Sequence, residues 1–364
     1  MCTACHAPMT DTAATEAFAD QLLDMLNQGA LSLMVSIGHR TGLFDAMAEL
    51  PPSTVDEIAA QAGLAPRYVQ EWLGAMVAGG IVDYHAAARR YLLPREHAAL
   101  LTRAASPDNI AVFAQYIGVL GQVEDRIIDC FRVGGGVPYE HYPRFHEVMA
   151  EDSGQTVLAA LDQHILALAP GLSQRLEHGI RLLDIGCGRG RALLHLAERF
   201  PNSQFVGYDL SDSALREAQA AADERQLRNV RFEARDLSEF HVNADPAAFD
   251  CVTTFDAIHD QAAPHQVLDG IHRTLKPGGT FLMQDIRASS HLENNLEHPI
   301  GPLLYTLSTM HCMSVSLAQG GVGLGTMWGE ELAVEMLHQA GFGQVQVCRL
   351  EHDFQNNFYV MRKE

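Results

Sequence analysis

Three glycines in five residues, Gly186-Cys187-Gly188-Arg189-Gly190, stand between an apolar run, Leu182-Leu183-Asp184-Ile185, and a segment, residues 192–199, whose leucines and alanines recur at helical spacing. Strand, glycine turn and helix in that order let a ligand lie against bare backbone at a helix N-terminus, because glycine has no Cβ to hold it off. A second apolar run, Phe205-Val206-Gly207-Tyr208, leads into Asp209 and Leu210, and the acid lies 21 residues beyond the middle glycine (209 − 188). One carboxylate accepts both hydroxyls of a ribose diol, so the loop and the acid together point to a nucleoside-bearing ligand.

Further acids fall where such a fold would use them. Asn229–Ala234 reads as a third strand and Asp236-Leu237 follows it. A carboxylate there suits an exocyclic amino group, since it accepts from N–H; a solvated turn is the alternative. Asp250–Asp260 holds a fourth strand and the turn beyond it. The carboxyl ends of parallel strands face the ligand crevice, which puts Phe255, Asp256, His259 and Asp260 at the chemistry.

Leu183-Asp-Ile-Gly-Cys-Gly-Arg-Gly190 resembles motif I of the class I S-adenosylmethionine-dependent methyltransferases. The resemblance runs on through Asp209, Ala234-Arg235-Asp236-Leu237, Phe249-Asp250-Cys251-Val252 and Leu275-Lys276-Pro277-Gly278-Gly279, and it covers roughly residues 155–364. It implies an α/β fold, a Rossmann-like seven-stranded sheet, with S-adenosylmethionine as cofactor. The cofactor would lie on Asp184, Gly186, Cys187 and Gly188, with its ribose at Asp209 and Leu210. Its adenine would lie at Asp236 and Leu237, with Phe255 and Asp256 alongside. His259-Asp260 resembles the His-Asp that precedes a Trp in small-molecule O-methyltransferases, where the histidine removes the acceptor proton. Here Gln261 takes the place of that Trp, so His259 is either the base or a structural histidine.

The N-terminal half must frame this site. Residues 1–14 read as a disordered tail, although Cys2, Cys5 and His6 match a haem-attachment spacing. Residues 15–104 read as a mainly helical winged-helix domain. Glu16–Leu33 is an amphipathic helix, and Ser53–Glu57 offers a capped helix start. Pro66 opens a second helix, with Val69, Trp72, Leu73, Met76 and Val77 on one face. Ile81–Tyr84 and Tyr91–Leu93 form the wing. The helix after Pro66 carries Arg67 against Glu71, too thin a polar surface for base edges and phosphates. A dimerisation and substrate-lid module is the better reading, and the resemblance implies a homodimer. Residues 105–165 are a helical linker, interrupted by the loop Gly134-Gly135-Gly136-Val137-Pro138-Tyr139, a lid or a plain connector.

Residues 166–364 then form the cofactor domain, with a cap insertion at 287–328. Within the insertion, Pro302–Leu317 is apolar and helical, and a glycine-rich loop spans 320–325. Substrate contacts are expected from Tyr139, Tyr305, His311, Cys312 and Met313, with Trp328 as a wall; core or dimer packing is the alternative for each.

Composition narrows the rest. The chain has 364 residues, 47 % hydrophobic and 19 % charged, an ordinary globular balance. A net charge of −20 argues against a phosphate-neutralising surface and so against nucleic acid. No apolar run is long enough for a membrane span, and no leader pattern opens the chain, so cytoplasm is expected. Seven scattered cysteines suggest reduced thiols. No acidic triad suggests Mg²⁺, so no metal is implied. The function expected is methyl transfer to a small molecule, most simply to a hydroxyl. S-methylation of a thiol or sulfide, and a cofactor-sensing regulator without turnover, remain the alternatives.

Overall fold

The computed structural model describes residues 11–351 and 353–364; the Cys2, Cys5 and His6 group lies outside them. The chain forms two compact units that divide between Gly118 and Val119. Among the described residues no helix is long and apolar enough to cross a membrane, and the five cysteines are free.

The first unit opens with a helix, Thr12–Thr41, which starts inside the stretch expected to be a tail. The reason is a cap: the Asp11 carboxylate accepts from the backbone N–H of Ala13 at 3.0 Å and of Ala14 at 3.3 Å. Helices Leu43–Ala48, Val55–Ala62 and Pro66–Ala78 follow, then a two-stranded wing, β1 (Asp83–His85) and β2 (Arg90–Leu92). Thr54 and Glu57 close a capping box at the start of the third helix. Pro66–Ala78 buries Val69, Trp72, Leu73 and Met76. Gly38 is what lets the long helix pass over Trp72, since a Cβ there would sit 2.6 Å from the indole. On the outer face of Pro66–Ala78, Arg67 is paired with Glu71 one turn away. The one cation in that helix is therefore already matched within the helix.

The second unit is built on a seven-stranded sheet. Its strands are β3 (Arg181–Ile185), β4 (Gln204–Asp209), β5 (Val230–Ala234), β6 (Phe249–Phe255), β7 (Leu275–Ile286), β8 (Val345–Cys348) and β9 (Asn356–Arg362). Their order is β5-β4-β3-β6-β7-β9-β8, parallel except for β9, which pairs antiparallel with both neighbours. Helices cover both faces, so the central strands are apolar throughout rather than alternating. Leu182 packs with Leu193, Leu196 and Phe205 on one face; Leu183 and Ile185 pack with Val206, Val267 and Ile271 on the other. β7 starts five residues earlier than the expected Thr280. Its first residues still pair, Gly278 N–H with Lys363 O and Lys363 N–H with Gly279 O.

The chain reverses order between β3 and β6, and that switch point is where an open α/β sheet leaves a crevice. Two additions face it. The insertion after β7 runs Gly301–Leu307, a π-helical turn at Ser308–Cys312, and Met313–Ala318, so the expected continuous helix is broken by one wide turn. The glycine loop at 134–136 docks on it. A Cβ on Gly136 would lie 1.8 Å from Ser314 O, and Val137 N–H donates to Ser314 Oγ at 2.8 Å.

Candidate active site

The glycine turn after β3 folds around Asp209, the last residue of β4. Gly188 N–H donates to Asp209 Oδ2 at 2.8 Å and Ser211 N–H to Oδ1 at 2.8 Å, which aims the carboxylate while leaving lone pairs on both oxygens. Gly186, Gly188 and Gly190 all have positive φ. A Cβ on Gly186 would strike Ala257 at 2.4 Å, whereas one on Gly188 would point into open space. The loop is thus jammed at its first glycine and open at its middle one, the shape of a cradle for a ligand against backbone. Cys187 lines it as a neutral thiol, its pKa pushed well up by burial and then by the charges of Asp184 and Asp209. Asp184 sits beneath, 3 % exposed, accepting from Thr253 Oγ1 of β6 at 2.7 Å. Burial raises its carboxyl to about 7.

The other expected cofactor residues are spread more widely. Asp236 is exposed and accepts locally from Ser238 N–H at 2.8 Å, while Leu237 is buried in the core and Leu210 is exposed. Phe255 packs half-buried at the end of β6. Asp256 follows it with φ +49, and Gln284 Nε2 donates to its Oδ2 at 2.9 Å. Burial and then the Asp285 charge push the Asp256 carboxyl well up from its usual range.

His259 lies just beyond, 3 % exposed. Its Nδ1 is 2.7 Å from Asp285 Oδ1, and its Nε2 is 3.4 Å from Asp260 Oδ1. Asp285, at the carboxyl end of β7, is fully buried and its Oδ1 also accepts from Trp328 Nε1 at 3.0 Å and from Ile286 N–H at 2.8 Å. Burial alone would lower the imidazole pKa, but Asp285 and then Asp260 outweigh it and hold it well above its usual 6.5. Trp328 therefore anchors the acid behind the histidine, where the sequence suggested a pocket wall. Asp285 was missed; its position at a strand's carboxyl end, as for Asp256, was the signal available.

The insertion brings Cys312 and His311 to this group and leaves others apart. Cys312 Sγ joins the His259 and Asp260 donor atoms in one cluster. His311 is fully buried and stacked on Phe145 at 3.4 Å between ring centroids, with Tyr139 and Tyr142 edge-on. Burial drives its pKa well down, so it is neutral. Tyr139 stacks on His146 and is the residue that spans the site. Burial, then the charges of Asp260 and Asp209, push its hydroxyl well up. Met313 packs instead against the loop at Gly323 and Gly325, and Tyr305 takes a hydrogen bond from Asn295 Nδ2 at 3.3 Å.

Two family models match this chain: the Rv2258c-like winged HTH domain over residues 29–103 and the methyltransferase domain over residues 176–341. The chain pairs a winged-helix domain with a methyltransferase domain. An uncharacterized methyltransferase of Synechocystis is 31 % identical over 150 residues, 41 % of this chain and 57 % of that protein. The chain spans about half the length of the curated relatives it matches. Among solved structures, the mitomycin 7-O-methyltransferase MmcR superposes with a TM-score of 0.69 at 18 % identity, over 97 % of this chain and 100 % of that one. Human N-acetylserotonin methyltransferase, solved with S-adenosylmethionine, gives 0.66 at 19 % identity over 98 % and 99 %. At these identities the likeness is one of fold. Within the methyltransferase domain, the cradle at 186–190 and Asp209 match the place where a nucleoside cofactor lies at the switch point.

Two outcomes follow for the methyltransferase domain. Asp209→Ala should lose about 100-fold or more in affinity for S-adenosylmethionine by calorimetry, because two hydrogen bonds to a charged acceptor disappear; unchanged affinity would move the ribose elsewhere. Asp184 has a folded-state pKa above its ordinary 3.8, so ionising it penalises the fold, a penalty absent below pH 3.8 and complete above pH 7. Asp184→Asn keeps the Thr253 bond and removes the charge. Chemical denaturation should show the variant gaining on the wild type as pH rises from 4 to 8, by at most about 4 kcal/mol; a gap constant with pH would refute the assignment.

Proposed function

We propose that this chain methylates a hydroxyl of a small molecule from S-adenosylmethionine, with His259 taking the acceptor proton. The observation that carries the reading is the buried Asp285–His259 pair on the cradle side of the crevice. With Nδ1 committed to Asp285, the imidazole presents Nε2 as its working atom, the arrangement a general base requires. The cofactor supplies a sulfonium methyl already activated for displacement. What remains for the chain is positioning and exclusion of water. Gly186–Gly190 and Asp209 hold the donor. Tyr139, Phe145 and His311 close the aromatic side. That MmcR, of similar fold, is named for O-methylation of mitomycin supports a small-molecule acceptor.

The histidine is a base only when neutral, and Asp285 holds its pKa above 6.5. Methyl transfer should therefore rise with pH through that elevated pKa and level off above it. Asp285→Asn should shift the rise to lower pH and reduce the plateau, while His259→Ala should cost about 10²–10⁴-fold in kcat on a phenol or alcohol. A His259→Ala variant that methylates a thiol at nearly full rate, with no activity on hydroxyls in the wild type, would replace this reading with S-methylation.

The assembly proposed is a homodimer through the first helix. It presents Phe18, Leu22, Leu23, Met25 and Leu26 to solvent, with Leu26 70 % exposed, an apolar row of the kind buried in partner interfaces. Sedimentation should give a dimer for the wild type and a monomer for Leu22→Glu with Leu26→Glu; a monomeric wild type would end the proposal.

A further inference from the structure

A ring nitrogen of His259, an Asp260 carboxylate oxygen and Cys312 Sγ come from two segments that the π-helical turn brings together, and these donor atoms all lie within 4.8 Å of one another. We infer that these three side chains form a binding site for a soft divalent cation, zinc by its ligand chemistry, and that its occupancy withdraws His259 from proton transfer.

The donor set comes first. Imidazole nitrogen, carboxylate oxygen and thiol sulfur are the ligands zinc takes, and three of them leave its fourth position open. Bonds of about 2.0–2.3 Å in a tetrahedron place donor atoms about 3.3–3.8 Å apart. The 3.4 Å from His259 Nε2 to Asp260 Oδ1 already meets this, and the sulfur needs to close by about 1 Å at most. The atoms are enclosed: His259 is 3 % exposed and Cys312 8 %. Asp260 Oδ1 is buried, and its charge, set against His259 Nε2 at 3.4 Å, is one that a cation would meet directly.

The support behind the ligands is the second observation. A metal-bound histidine usually donates its other ring N–H to a carboxylate, which fixes the tautomer and turns the ring. His259 Nδ1 does this to Asp285 Oδ1, and Trp328 and Ile286 hold Asp285 in turn. Binding replaces the Cys312 S–H bond by a sulfur–metal bond and releases that proton to solvent, with no change of oxidation state. The Nε2 lone pair cannot serve the cation and the acceptor proton together.

The test uses the full chain carrying Cys2→Ser and Cys5→Ser, which removes the other cysteine–histidine group. Cobalt(II) titration should show one equivalent bound, with thiolate-to-cobalt absorption in the near ultraviolet that Cys312→Ser abolishes. Asp285→Asn should weaken binding about 10–100-fold. X-ray absorption of the zinc-loaded protein should find one sulfur at about 2.3 Å with nitrogen and oxygen at about 2.0–2.2 Å, a reading that stands even where Cys312→Ser fails to fold. A sulfur-free shell, or a thiolate band that survives Cys312→Ser, would overturn the site. Zinc should depress hydroxyl methylation and a chelator should restore it. Cobalt binding is read without turnover, so a missing methyl transfer and a missing metal site are separate results.

Discussion

One oxygen atom organises the surroundings of His259 in the second unit. Asp285 Oδ1 receives His259 Nδ1, Trp328 Nε1 and the backbone N–H of Ile286, in a side chain with no exposure to water. A buried carboxylate is costly unless its charge is met by donors, and removing one partner leaves the rest uncompensated. That constraint ties together β7, the turn after β6 and the start of the helix Gly329–Gln339, three elements far apart in sequence. It sets the histidine's tautomer, its ring angle and its charge at once.

The cofactor side rests on a different device. There the backbone does the work: positive-φ glycines, two N–H groups on Asp209, and open space over Gly188. Such a site tolerates change in side chains and little in backbone. The surroundings of His259 reverse this, being made of side chains from the segment after the glycine loop at 134–136, the turn after β6 and the insertion. The cradle is thus held by backbone, whereas the group around His259 is held by side chains such as Tyr139, His311 and Cys312.

What could be read from sequence follows this division. The strand, loop and helix around Gly186–Gly190, and Asp209 at its spacing, were legible because local geometry dictates both residue type and distance. The capping box at Thr54 and Glu57 was legible for the same reason. Asp285 was not, since nothing local distinguishes an acid that ends a strand in solvent from one that meets a histidine 26 residues away. The bond from the Trp328 indole N–H to Asp285 is equally invisible in sequence, because the partner is a tertiary fact. The straight helix expected over Pro302–Leu317 failed at Ser308–Cys312: periodicity of apolar residues does not register one wide turn. Asp11 shows the smaller error, a cap too polar to look like helix that nevertheless starts one.

The chain has two tryptophans, and the fold gives one to each unit. Trp72 donates its indole N–H to the neutral carbonyl of Met34 inside the first unit, while Trp328 donates to a carboxylate that shares a histidine. The two indoles therefore sit in opposite electrostatic surroundings, one indifferent to protonation and one coupled to it. The protein carries its own pair of optical probes: one reports the integrity of the winged helix, and the other the charge on His259.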